Sequence, residues 1–504
     1  MKKIVTVLLA VISLFSFGAC KNLAVETIDD SDGVLNILCV EAGYGTTFMT
    51  KMVEEFKKEN PDIEVNVVFD VQAAETADKY YTQSTPNPYD LFFTALVNYR
   101  AKVDNNWLES ITDVYESFEN PIVDTYADYG KHKNDYYTMP WAYGPYGLVY
   151  NTDMLTDERV PRTTDELVSL TKDIAAGRVS TVPSGVKPFV WGGKNAAPYW
   201  DYVADTWWAQ YESAEKYQNF WTLNDSSADD GYTVYGQQGI LRAYSVLEEL
   251  LTVENNSVTG SQTKDHTVSQ SDFMLGKAVM LPCGDWLERE TVDNYPEVKN
   301  YKLMKTPVIS ALGVSLKLAG NSADNSAHDA KLSAIVKLID VGKTDAEIAS
   351  DTQVSENKIK EVRTARSIAL TSPNQAFIPA SSNAKTEAKA FLKFMSTKKA
   401  GAIFKKEARS SLPFKYSEEF EYKGSPYLEN NYAIAKDATF IYYDYDASPV
   451  RYKGGLPKWI KHEGPALEFY AGTLTADKFR EDNFNYFTPD GENKWEQYRY
   501  HCKK

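Results

Sequence analysis

The chain has 504 residues, of which 43% are hydrophobic and 13% aromatic, enough to bury large cores and too many for a disordered chain. Its net charge of −16 argues against nucleic acid or an anionic surface as a partner, because phosphate selects for clustered Lys and Arg. Neutral ligands stay open.

The N-terminus carries Lys2 and Lys3, an apolar run over residues 4–17, then Gly18, Ala19 and Cys20, the pattern of a secretion signal. The run is shorter than the roughly 20 residues that a membrane-spanning helix needs. A cysteine directly after small residues resembles the bacterial lipobox, with Phe17 a departure at the usual Leu position. The resemblance implies a signal peptide over residues 1–19, cut before Cys20, and a palmitate-type lipid on the Cys20 thiol. Residues 20–33 then form the lipidated cysteine and a polar, acidic linker. The expected location is the cell membrane, lipid-anchored, on the extracellular or periplasmic side. Cys39, Cys283 and Cys502 are too few and too scattered for a disulfide framework, although one pair stays open; Cys39, inside an apolar strand, reads as buried.

The body from Val34 onward is longer than one core usually supports, so two lobes are expected. Residues 34–40 read as a strand, 41–47 as a loop, and Phe48, Met52, Val53 and Phe56 as the apolar face of a helix. That helix stops at Asn60-Pro61, a second strand covers 63–69, and a third covers 89–93. Such alternation predicts a parallel sheet with covering helices and a ligand beyond the carboxyl ends of its strands, at 41–47 and 94–99. Residues 136–151 form an ordered loop, through Pro140, Gly144, Pro145 and Gly147, that enters a strand at 148–150. Thr163 reads as a helix N-cap, with Glu166 completing a capping box. Residues 273–280 read as a strand feeding a glycine-containing loop at Gly284 and then a helix.

Quoted in order, FKKENPDIEVNVVF, YDLFF, VDNNWLESITDVYE, DYYTMPWAYGPYGLVYNTDML, PRTTDELVSLTKDI, SQSDFMLGKAVMLPCGDWLE and KTPVISALG resemble the extracellular solute-binding proteins of ABC importers, in the family 1 group that binds sugars. The resemblance covers nearly the whole body. It implies an α/β, periplasmic-binding-protein-like clamp of two lobes, each a mostly parallel sheet flanked by helices, joined by hinge crossovers. The expected division is lobe 1 from 34–145, mainly lobe 2 over 146–310, and a return to lobe 1 over 311–418 with an added helical segment. Residues 419–504 form an aromatic-rich C-terminal region, with runs such as YYDYDASP and NFNYF, that could extend a ligand cleft or wrap the first lobe as a tail, the tail being the favoured reading. Residues 344–366 superficially look like a DNA-binding helix-turn-helix, but acidity and export favour a solvent-facing helical insertion.

For catalysis the sequence offers little. Its five His are scattered, with no pair at metal-ligand spacing, and there is no Gly-x-Ser-x-Gly elbow. Residues 225–231 only faintly echo a calcium loop and read as a polar turn. No cofactor, metal or catalytic residue is assigned. The 34 Tyr and 10 Trp, many beside Asn, Asp or Gly, suit sugar rings, whose apolar C–H faces are rimmed with hydroxyls. The expectation is a monomeric binding lipoprotein, not an enzyme, that closes on an oligosaccharide and hands it to the transmembrane permease of an ABC importer. A surface glycan-processing enzyme, a lipoprotein without a transport role and a binder of a non-sugar solute are the alternatives.

The ligand candidates lie on the expected cleft loops: Glu41, Tyr44, Thr46 and Asn98, then Trp141, Tyr143 and Tyr146 on the crossover. In the resembled family an aromatic after a glycine-containing turn often faces the sugar, and the matching residues are Asp285 and Trp286. Trp200, Asp205 and Trp207 come from the densest aromatic cluster, where a core-facing helical stripe is the competing reading for the two tryptophans.

Overall fold

The computed structural model describes residues 33–82, 86–95, 98–224, 230–418 and 420–502. The signal segment, Cys20, most of the linker and most of the 225–231 turn lie outside these residues. The strands, in chain order, are β1 Val34–Val40, β2 Glu64–Asp70, β3 Leu91–Thr94, β4 Lys131–His132, β5 Asp135–Tyr136, β6 Met139–Pro140, β7 Tyr146–Asn151, β8 Lys187–Phe189, β9 Ala278–Gly284, β10 Tyr301–Leu303, β11 Ile368–Thr371, β12 Gln375–Phe377 and β13 Thr439–Tyr442.

Two sheets organise two lobes. The first has the order β2-β1-β3-β12-β6, and the second β13-β11-β7-β9-β8 with β10 also on β7. The expected mostly parallel pairing is corrected to mixed. In the first sheet β1 is parallel to β2 and β3, while β12 runs antiparallel to β3 and β6. In the second, β11–β13 and β8–β9 are parallel, and β7 is antiparallel to β9, β10 and β11. Strands such as β12 and β7 enter straight from the other lobe, without the long crossover that parallel pairing needs.

The central strands are buried on both faces and are apolar on both sides, whereas no residue of the edge strand β2 is fully buried. Along β1, Leu35, Ile37 and Cys39 join one core, while Leu38 meets Phe92 and Phe377 on the other. In β9, Val279 and Met280 face the large second-lobe core, and Leu281 and Cys283 the opposite layer. Cys39, Cys283 and Cys502 carry free thiols.

Three further expectations change. Residues 311–367 do not return to the first lobe: Leu332, Ile335, Ile348, Ile359 and Val362 complete the second-lobe core, so this helical segment is a packed layer and not a solvated insertion. The first sheet is rejoined only at β12. The C-terminal region likewise packs on the second lobe, through Tyr443, Val450, Trp459 and Phe479, and not around the first as a tail. Phe273 and Met274 close the helix His266–Met274, N-capped by Asp265, which accepts from the Val268 N–H, so the strand starts later, at Ala278.

The Thr163 N-cap forms, accepting from Glu166 N, but the Glu166 carboxylate takes the Arg162 N–H, not that of Thr163. A complete capping box instead joins Thr344 and Glu347.

Candidate functional site

Among the described residues the chain passes between the lobes three times: at 141–145, at 372–374 leading into β12, and over 408–425. The second crossing floors a cavity of about 440 Å³. Asn98, Tyr99 and Tyr129 form its first-lobe wall. Residues 443–446, Arg451 and residues 455–457 form the other.

The second wall is fastened from beneath. Lys458 Nζ lies 2.7 Å from carboxylate oxygens of both Asp201 and Asp205, and Tyr217 and Tyr244 donate to the same two acids at 3.0 and 3.1 Å. The carboxylates belong to the helix Ala196–Glu212, so this buried network ties the C-terminal region to the second lobe. Burial foremost, against the pull of the Lys458 ammonium, pushes the Asp205 carboxyl up to about 6. Arg451 is equally committed: its guanidinium donates to the carbonyls of Phe220, Trp221 and Pro457 and lies against the Phe220 and Trp221 rings. Neither cation is free for a ligand.

Across the cleft, the Arg100 guanidinium donates to both oxygens of Asp444. Asp446 accepts the backbone N–H groups of Asn98 and Tyr99. Asn98 holds φ +55°, the left-handed conformation that Asn tolerates better than most residues, and so turns its N–H toward the opposite lobe. Burial, with repulsion from Asp444 second, pushes the Asp446 carboxyl up to about 6.

Tyr445 stands at this cavity 52% exposed, held edge-on by Trp221 at 5.0 Å and tilted to Tyr443 at 5.7 Å. An aromatic ring fixed from one side with its remaining surface toward a cleft is a platform for an apolar ring face. Tyr99 and Tyr443 also line the cavity, and their hydroxyls are buried without a hydrogen-bond partner among the described residues. Buried hydroxyls rarely stay so. Tyr445, Tyr443, Asp444 and Asp446 were not named as site residues from the sequence; their signal was the YYDYDASP run, for which a cleft extension was the less favoured of two readings.

Of the sequence candidates, only Asn98 lines this cavity. Tyr44, Tyr146, Asp285 and Trp286 meet instead at a second contact between the lobes. Tyr44 Oη donates to Asp285 at 3.3 Å, and Ser410 Oγ donates to the same carboxylate. Asp285 is 1% exposed, and burial first of all pushes its carboxyl up to about 6. Gly144 passes so close that an added Cβ would fall 2.2 Å from this carboxyl group, which makes glycine obligatory there. Trp286 is half-buried, edge-on to Tyr146 at 4.6 Å and Tyr202 at 5.9 Å, and borders the cores of both lobes. Gly43 N donates to Glu290 beside it.

The remaining candidates are placed elsewhere. Trp200 and Trp207 are fully buried, so the helical stripe is core, and Trp141 fills the first-lobe core with its indole N–H on the Gln375 carbonyl. Asp205 is spent on Lys458. Glu41 is exposed and Thr46 is half-buried at the start of the helix Thr47–Glu59; neither lines the cavity. Tyr143 lines a separate cavity. Among the described residues no group of three or more His, Cys, Asp or Glu is placed to hold a metal, and no helix is long and apolar enough to cross a membrane.

Two α/β lobes joined by three crossings around one cleft define a two-lobe binding clamp, a class that works by hinge closure. The chain belongs to the bacterial extracellular solute-binding proteins: the family's pattern matches residues 42–402. Its fold is similar to that of a chitin oligosaccharide binding protein, with TM-score 0.61 and 14% identity over 94% of this chain and 100% of the other. RafE in complex with raffinose aligns with TM-score 0.57 and 16% identity over 91% and 99% of the two chains. A Listeria monocytogenes ABC substrate-binding protein in complex with cycloalternan gives 0.56 and 15% over 90% and 97%. Comparison with curated protein sequences returns no match.

Proposed function

We propose that the protein captures a neutral oligosaccharide between its lobes and presents it, closed, to the permease of an ABC importer, while lipid on Cys20 holds it at the outer face of the cell membrane. The observation that carries the sugar assignment is the cleft lining: a half-exposed Tyr445 ring in a cavity also lined by Tyr99, Tyr129 and Tyr443. A pyranose offers a C–H face to the ring. Asp444, which also lines the cavity, supplies a carboxylate acceptor, the kind that forms the stronger hydrogen bonds. The oligosaccharide, raffinose and cycloalternan proteins of like fold support the same class of ligand.

Binding acts through population. A ligand that touches both walls favours the closed form by its differential affinity for that form, and a permease that reads the closed shape then receives only loaded protein. The cleft groups bind and orient; the reading assigns them no bond-breaking step.

Thermal unfolding against a panel of mono- and oligosaccharides tests the assignment, since a ligand that binds only the folded state raises the midpoint. A concentration-dependent rise with one glycan class, with the glycan recovered intact by chromatography, is the expected result. A rise only with peptides, polyamines or other non-sugar solutes would overturn it. Mass spectrometry of the membrane-extracted protein checks the diacylglycerol on Cys20.

A further inference from the structure

We propose a second saccharide site, outside the cleft, in the cavity between the helices Lys398–Glu407 and Pro426–Lys436. This cavity has a volume of about 850 Å³ and shares no lining residue with the cleft. Ligand pockets span roughly 300–1,000 Å³ and combine aromatic walls with a few convergent polar groups.

The lining selects the ligand class. Tyr143, Phe420 and Tyr432 contribute aromatic surface. The Lys405 ammonium lies 4.1 Å from the Tyr432 ring centre and 3.2 Å from the Glu429 carboxylate, with its side chain 7% exposed. An anionic ligand must compete with Glu429 for that ammonium. A cationic ligand finds the near face of the Tyr432 ring already covered by Lys405. A neutral polyhydroxylated ring needs to displace neither group: it lays C–H faces on Tyr143 and Phe420, and its hydroxyls accept from Lys405 and donate to Glu429.

The cavity also touches the closure machinery. Tyr432 Oη donates to the Ser410 carbonyl at 3.2 Å, and Ser410 Oγ donates to Asp285, the acceptor of Tyr44 from the first lobe. A sugar seated against Tyr432 therefore bears on a contact that holds the lobes together, which goes beyond capture in the cleft.

The test is saturation-transfer NMR and calorimetry of the purified protein with chitotriose, raffinose and xylotriose, comparing wild type with Tyr445→Ala, Tyr432→Ala and Phe420→Ala. The expected result is two classes of site for at least one of these sugars. One class weakens in Tyr445→Ala; the other weakens at least tenfold in Tyr432→Ala and Phe420→Ala and persists in Tyr445→Ala. Circular dichroism melts confirm that each variant is folded, and Phe420→Ala carries the test if Tyr432→Ala is not. A single class of site for all three sugars, or a second class untouched by a folded cavity variant, overturns the proposal. Failure of Tyr445→Ala to alter binding would sink the cleft assignment alone.

Discussion

The Arg100 guanidinium spans the cleft to reach both carboxylate oxygens of Asp444, at 3.1 and 3.4 Å. Both side chains are mostly buried, at 14% and 15% exposure, so solvent screens the pair less than a surface bridge. Because one partner belongs to each lobe, the pair contributes to the closed form and not to either lobe alone. Arg100→Gln should weaken sugar affinity about tenfold, equivalent to about 1.4 kcal/mol, and enlarge the radius of gyration in X-ray scattering. An unchanged radius together with unchanged affinity would remove the pair from closure.

Tyr445 is half-exposed and contributes little to any core, so its loss should separate binding from folding. Tyr445→Ala is expected to lower affinity for the cleft sugar about tenfold, while the unfolding midpoint of the free protein moves by no more than about a degree. Fluorescence titration and a thermal melt of the same sample measure both. A large fall in the midpoint would make Tyr445 a structural residue.

Asp446 and Asp285 both sit at contacts between the lobes, and both carboxyls are pushed up to about 6, chiefly by burial. On opening they regain water and move back toward the ordinary carboxylate value of about 3.9. The closed form therefore binds protons more tightly, and acid favours closure. Relative to the unfolded chain the sign is the same: their stabilising contribution is complete below about pH 4 and is lost as pH rises through about 6. Sugar affinity should thus increase as pH falls from 7 to 5, and Asp446→Asn should flatten the profile. Calorimetric titration across that range decides it; affinity that drops in acid would refute the closure argument.

Lys458 neutralises two buried aspartates, and removing it strands both. Lys458→Met should cost about 3–5 kcal/mol of folding stability, the usual effect of breaking a buried pair from one side. Denaturant unfolding measures this. The expected secondary effect is a weaker cleft site, because the wall bearing Tyr443 and Tyr445 is anchored by this residue. Stability within about 1 kcal/mol of wild type would mean that the network does not fasten the C-terminal region.

Trp207→Ala offers the contrasting case. Its ring is fully buried, with the indole N–H donating to the Pro307 carbonyl at 3.2 Å. A loss of about 3–5 kcal/mol in stability, with unchanged sugar affinity in the folded fraction, is expected from denaturant unfolding and titration. A selective affinity loss would return it to the ligand site.

The sequence by itself determined most of the elements and the two-lobe class. Apolar runs such as 34–40 and 278–284, and caps such as Thr163, act over a few residues, and short-range pattern is enough to read them. The ordered segments carried the family resemblance. Tertiary structure alone decided which aromatics face the cleft. Trp200, Trp207 and Tyr445 all sit in aromatic-rich stretches, yet the first two are sealed in the core and the third stands open. That difference arises because Lys458 pins a segment more than two hundred residues downstream onto Asp201 and Asp205. Burial and lobe-to-lobe pairing are properties of such long-range contacts, and no local periodicity records them.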